Sequence, residues 1–332
     1  MKSLLLASVI IATVTNIQTQ TDAGQVASLQ LVQTIPLPGV NGKFDHLAVD
    51  LSGHRMFIAA KMNNTLEVVD LQNGRRLRSV SGFHEPQGVL YLRDAKRVVV
   101  ANGGNGEVQF LDGTTLEVLQ RFSFGADADN IRYDADTRRI YVACQDGAIG
   151  TIDLKSMSKL PEIKLPGHPE AMAIEMRGQR LFVNVPKPNA VFMLDRAKAA
   201  VSAEWKLTKA KVNYTMALDE GHSRLLVGCR QPASVVVFDT TTGYEITTFP
   251  IGGETDCMFY DGAHQRIYVT GADGTLDVVE QLDADHYRVL GKLPTAPLAR
   301  TCLFVPELDR VYVAVPQQKG HDAELRVYQA RY

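Results

Sequence analysis

Seven polar positions recur along the chain at nearly even spacing and carry many of its chemically able side chains: Asp45, Gln87, Asp129, Glu170, Tyr214, Asp256 and Arg300. A second variable residue follows each one, His46, Gly88, Asn130, Ala171, Thr215, Cys257 or Thr301, and Glu85, Asp127, His168 and Glu254 lie two places before four of them. Carboxylates crowded into one concavity repel, which raises some of their pKa values or recruits a cation. Oxygen donors from Asp, Glu and Asn suit calcium or magnesium, and a histidine among them admits manganese or zinc. One expectation is a single divalent ion on Asp129, Glu170 and Asp256, with His46 or Asn130. The other is a hydrated mouth whose carboxylates cap strand ends and pair with Arg300 and Lys43. The sharper version is acid–base chemistry, with His46 or His168 as general base, Asp45 or Asp129 orienting it and Arg300 steadying an anion. The ligand-binding set read from these columns is Asp45, Gln87, Asp129, Asn130, Glu170, Tyr214 and Asp256.

These residues can meet only if equivalent positions of a repeat are wound onto one axis. The repeat is marked by Arg55, Arg97, Arg139, Arg180, Arg224, Arg266 and Arg310, separated by 42, 42, 41, 44, 42 and 44 residues. Two residues after each comes Phe57, Val99, Tyr141, Phe182, Leu226, Tyr268 or Tyr312, and then an Ile or Val. Each arginine thus separates two short apolar runs, as Ile131 to Tyr133 and Ile140 to Ala143 around Arg139, which is hairpin grammar. A third run ends in an acid (Asp70, Asp112, Asp153, Asp195, Asp239, Glu280), and turns such as Gln72-Asn73-Gly74 reverse the chain into a fourth. A period in the low forties with four short strands predicts an all-β, seven-bladed propeller of four-stranded antiparallel blades. The recurring arginine and third-strand acid read as scaffold, anchoring turns and pairing with each other.

Leu29 to Gly39 has the look of a fourth strand without its first three, and the last repeat supplies Cys302 to Val305, Arg310 to Val315 and Leu325 to Gln329 and then stops. The N-terminal strand is therefore expected to complete the last blade and leave no open edge. All seven entries to the first strands then converge on one mouth of a central channel. The loops from second to third strand share that face and add Lys61, Asn63, Asn64, Asn102, Asn105, Gln145, Asp146, Lys187, Arg230, Asp273, Lys319 and His321. His54, His222 and His264 fall in turns on the opposite face.

The second strands Arg266-Ile-Tyr-Val-Thr-Gly271, Arg139-Ile-Tyr-Val-Ala143, Arg310-Val-Tyr-Val-Ala314 and Arg97-Val-Val-Val-Ala-Asn102 resemble the YVTN repeat of YncE-like seven-bladed propellers. The resemblance runs from about Leu29 to Tyr328. It implies the fold, and its relatives include surface and periplasmic binding proteins, lactonases and a lyase, so it does not choose an activity. The asparagine that closes the family's motif survives only as Asn102, with Lys61, Cys144, Val185, Cys229, Gly271 and Val315 in its other places.

Composition narrows the field. A net charge of −2 removes the electrostatic attraction that dominates nucleic-acid affinity. Lys2, the apolar run Leu4 to Val14 and the polar stretch that follows read as a secretory signal over residues 1–21, leaving 22–332 as one propeller domain, exported to the periplasm or the outside. That run is too short to span a bilayer. Export permits disulfides; of Cys144, Cys229, Cys257 and Cys302, only Cys257 and Cys302 enter adjacent blades within reach of a bridge. There is no Gly-rich phosphate loop, GxSxG elbow or HExxH helix. One tryptophan and seven rather than eight blades disfavour a quinone enzyme. The expectation is a monomeric binding or scaffold protein whose channel mouth takes a small cationic or polyhydroxylated ligand through a divalent cation. The alternatives are a metal-assisted hydrolase or lyase of lactonase type at the same mouth, and a surface platform for another protein.

Overall fold

The computed structural model describes residues 28–332, so the expected signal segment lies outside the described residues. Those residues form seven four-stranded antiparallel sheets and two single 3-10 turns, Lys61–Asn63 and Pro306–Leu308. Six blades are consecutive, spanning 47–80, 86–123, 131–164, 172–206, 211–250 and 255–294, each with its strands in chain order from the axis outward. The seventh is composite. Its inner three strands, Thr301–Val305, Arg310–Val315 and Ala323–Ala330, are capped by Leu29–Leu37 from the other end of the chain. Leu29 pairs with Ala330 and Leu37 with Ala323, with one irregularity between Leu31 and Gln33. The expected closure is present, and the N-terminal strand ends at Leu37, two residues short of the expected Gly39.

The second strand of every blade is apolar on both faces because both faces are covered. In Arg55–Ala60, Met56 and Ile58 pack with the seventh blade, while Phe57 and Ala59 pack with the second. Seven apolar clusters result, one at each junction between neighbouring blades. Full burial of a side chain of this size contributes about 1.5–3 kcal/mol, and a lone blade would lose it on both sides. The innermost strands touch in sequence around the axis, and Thr301–Val305 meets Leu47–Asp50 to close the ring.

The scaffold residues behave as expected in part. Asp70, Asp112, Asp153, Asp195 and Asp239 each accept two backbone N–H bonds from the turn that follows, for example Asp112 from Thr114 and Thr115 at 2.8 and 3.0 Å. Arg97, Arg224 and Arg266 pair with Asp112, Asp239 and Glu280 across the sheet. Arg55 and Arg180 instead take the first-strand acids Asp50 and Glu175, which are more deeply buried and so better screened from water. All four cysteines are free. Cys257 and Cys302 do meet, the Cys257 thiol donating to the Cys302 carbonyl at 3.2 Å, and no bridge joins them.

Candidate functional site

The residues that enter the first strands are aimed by a repeated backbone device. In blade three, Asp129 N–H donates to the Ala143 carbonyl, and Ala143 N–H donates to the carbonyl of Asn130, so two residues oppose one. Asp45 and His46 stand the same way opposite Ala59, and Glu170 and Ala171 opposite Asn184. Register breaks between Pro86 and Val89, Asn213 and Thr215, and Thr255 and Cys257 put Gln87, Tyr214 and Asp256 in bulges too. A β-bulge bends the strand and redirects the extra side chain. Six of the seven column residues are such extra residues, and all seven line one cavity of about 740 Å³ on the axis.

The mouth of that cavity is a mixed ring rather than a uniformly acidic one. Asp45 lies 2.8 Å from His46 Nδ1 and 4.0 Å from Lys61 Nζ. Burial opposes ionisation of Asp45, but His46, Lys61 and Arg300 outweigh it and hold the carboxyl below its ordinary value. Burial would likewise lower His46, and the Asp45 and Asp129 carboxylates reverse this and raise it. Lys61 also donates to Gln87, whose amide reaches Asp127 at 2.9 Å. Asp256 is held by Arg230 at 2.7 Å and Arg300 at 3.0 Å, and Arg230 lies flat over the Tyr214 ring at 3.5 Å.

Asp129 and Glu170 are different. Neither makes an ion pair with a lysine or arginine among the described residues. Burial first, and then the charge of Asp45, pushes Asp129 up to about 8; burial and then Asp256 push Glu170 up to about 7. Asp129 and Asn130 are more than nine-tenths buried, and Oδ1 of each has no hydrogen-bond partner among the described residues. One donor atom from each of Asp129, His168 and Glu170 falls within 4.8 Å of the others, and the same holds for Asp45, His46 and Asp129. In His168, Nδ1 sits 2.8 Å from the Gln145 carbonyl, which places the proton on Nδ1 and the lone pair on Nε2.

The expected columns therefore converge, with corrections. Asp256 is compensated by two arginines and stands outside both donor groups, and Arg300 is engaged with Asp256 rather than open to an anion. Lys43 is exposed, and Lys61 takes the partner role given to it. Of the loop residues expected at this face, only Lys61 and Arg230 line the cavity; Asn102, for one, is buried in its strand, where its amide accepts from His84 N–H and donates to the Glu107 carbonyl. Arg132, which also lines the cavity, escaped the sequence reading because it lies inside a first strand treated as scaffold. The signal was there: the equivalent residues are Ala48, Leu90, Ala173, Ala217, Phe259 and Leu303, all apolar.

Over 100 residues the chain is 28% identical to the uncharacterized protein YncE of Salmonella typhi and 27% identical to that of Salmonella typhimurium. The matched stretch is 30% of this chain and spans 28% of those relatives' length. With seven four-stranded blades already in place, the likeness extends the second-strand resemblance. The chain is a seven-bladed propeller that resembles YncE over that matched stretch. No family model matches it. Among solved structures it superposes on a chain of Kuenenia stuttgartiensis hydrazine synthase with a TM-score of 0.75 at 16% identity, covering 86% of this chain and 97% of that one. It superposes on a chain of the mitotic checkpoint complex with a TM-score of 0.77 at 12% identity over the full length of both. Those likenesses show the fold alone. No helix among the described residues of this propeller is long and apolar enough to cross a membrane.

Proposed function

We propose that this propeller is an exported binding protein whose channel mouth holds a small polyhydroxylated or cationic ligand around one divalent cation, carried by Asp129, Glu170 and His168. The supporting observation is a charge balance. Arg230 and Arg300 compensate Asp256, and His46 and Lys61 compensate Asp45, which leaves buried Asp129 and half-buried Glu170 without an ion-pair partner among the described residues. A buried ion is costly unless paired, and one divalent cation neutralises two carboxylates. Oδ1 of Asp129, a member of the group formed with His168 and Glu170, has no hydrogen-bond partner among the described residues and is free to act as a donor. Two carboxylates and one imidazole suit manganese or zinc, and calcium or magnesium less. The His168 side is preferred over the His46 side because Asp45 is already engaged by Lys61.

Titration of purified, chelator-treated protein with Mn²⁺ tests this. One ion per chain is expected, lost in the Asp129→Ala, Glu170→Ala double variant and weakened at least about tenfold in His168→Ala, the loss of one of three protein ligands. Asp256→Asn and His46→Ala should leave the affinity nearly intact. Absence of stoichiometric Mn²⁺ binding, or its loss in His46→Ala alone, would overturn the assignment.

A second reading has its own observation. His46, held 2.8 Å from the Asp45 carboxylate and adjoining Asp129, is a base with an orienting acid, as a metal-assisted hydrolase would need. Turnover of lactones by the Mn²⁺-loaded protein, abolished in His46→Ala with Mn²⁺ still bound, would establish it.

A further inference from the structure

Below the polar mouth the cavity becomes apolar, with one exception. At the positions equivalent to Arg132, Leu90, Ala173, Ala217, Phe259 and Leu303 line the cavity while Ala48 packs into the first blade's junction, so one guanidinium interrupts an apolar collar. Its placement is fixed: Nε donates to the Met172 carbonyl at 2.8 Å and Nη1 to the Ile131 carbonyl at 2.9 Å. Nη2 has no partner and no carboxylate pairs with the side chain, among the described residues. Arg132 is half-buried on the channel wall, and two neutral carbonyls fix its position without balancing its charge. Arginine keeps its charge and presents a planar fork matched to carboxylates.

We propose that Arg132 is the anion subsite of the channel, and that the channel's ligand carries a carboxylate at its lower end, an apolar stem within the collar and oxygen donors at the mouth. Asp129 at the bulge and Arg132 within the strand that follows it line the same cavity, so one ligand can span the two polar ends. The inference rests on reading the channel as a ligand site and not on the cation, since Arg132 acts on the opposite end of the ligand.

Three probes separate these elements: phenylpropanoate, which has the foot and stem; propylcatechol, which has the stem and an oxygen head; and dihydrocaffeate, which has all three. Calorimetry on metal-free protein should show saturable binding of phenylpropanoate, weakened at least about tenfold in Arg132→Leu, the loss of one charge-assisted contact, and partly retained in Arg132→Lys. Propylcatechol should require Mn²⁺ and be indifferent to Arg132→Leu. Dihydrocaffeate should bind more tightly than either in the Mn²⁺-loaded protein. Arg132→Leu is expected to fold with an unchanged or higher melting temperature, because the substitution removes an uncompensated charge. No saturable binding of phenylpropanoate to the wild type, or equal binding to Arg132→Leu, would overturn the subsite. Loss of melting temperature in Arg132→Leu with probe binding intact would assign Arg132 to the scaffold and overturn it equally. Failure of Mn²⁺ binding would remove the cation and leave the phenylpropanoate arm standing.

Discussion

Two carboxyls decide how the mouth responds to protons. Asp129 and Glu170, raised to about 8 and about 7 in the metal-free fold, ionise near 3.8 and 4.5 in a free chain. The folded protein therefore holds protons that the unfolded chain has released, and stability falls as pH rises from about 5 to about 8, by up to about 1.4 kcal/mol per pH unit for each group. Urea unfolding in chelator across that range should show the decline, and Asp129→Asn should remove about half of it. Divalent cations need the same groups deprotonated, so Mn²⁺ affinity should rise with pH up to about 8, and binding near pH 6.5 should release about two protons, read by calorimetry in buffers of different ionisation enthalpy. The columns carrying Asp45, Asp129 and Glu170 were legible in the sequence because residues that break a repeat stand out against those that keep it. The pairing of a mouth carboxylate with Arg300 was expected, and that of Asp256 with Arg230 was not, since Arg230 lies near the end of a second strand of the preceding blade and reaches Asp256 only in three dimensions. Arg132 was hidden by its company, a charged residue inside a strand whose other members are scaffold.

The hairpins were readable from apolar runs and turn residues, and the structure keeps them. The bulges that aim the site were not, because an extra residue in a strand shifts the register without altering the pattern of residue types. Gly88 shows how tightly that device is built. A Cβ there would lie 2.2 Å from the Asp129 carbonyl and 2.7 Å from Ile131 Cγ1, so blade three's bulge rests against blade two's backbone. Gly88→Ala should destabilise the fold by about 1–3 kcal/mol, as overpacked positions do. It should also weaken Mn²⁺ binding, because the backbone that must yield carries Asp129. Retained stability together with lost Mn²⁺ affinity would mean that the bulge yields locally; retention of both would show that the contact does not govern the site.

Closure belongs to the molecule as a whole. Each blade shares its core with two neighbours, and a break in the ring leaves two apolar faces and a strand edge open. Deleting residues 28–37 should lower the melting temperature sharply and promote aggregation through the exposed edge of Ala323–Ala330. A synthetic peptide of Leu29–Leu37 added in excess should restore part of the loss, by mass action on the vacant edge. A truncated protein that melts like the full chain would show that Leu29–Leu37 contributes nothing to the ring.

That composite seventh blade also puts a clock into assembly. Arg331 N–H bonds to the Ser28 carbonyl at 2.8 Å, so the first described residues and the last are neighbours in space although they lie far apart along the chain. Leu29–Leu37 emerges first and must wait, unpaired, until Ala323–Ala330 exists to receive it. Six blades can stack as they appear, and the channel acquires its full circumference only with the final strand.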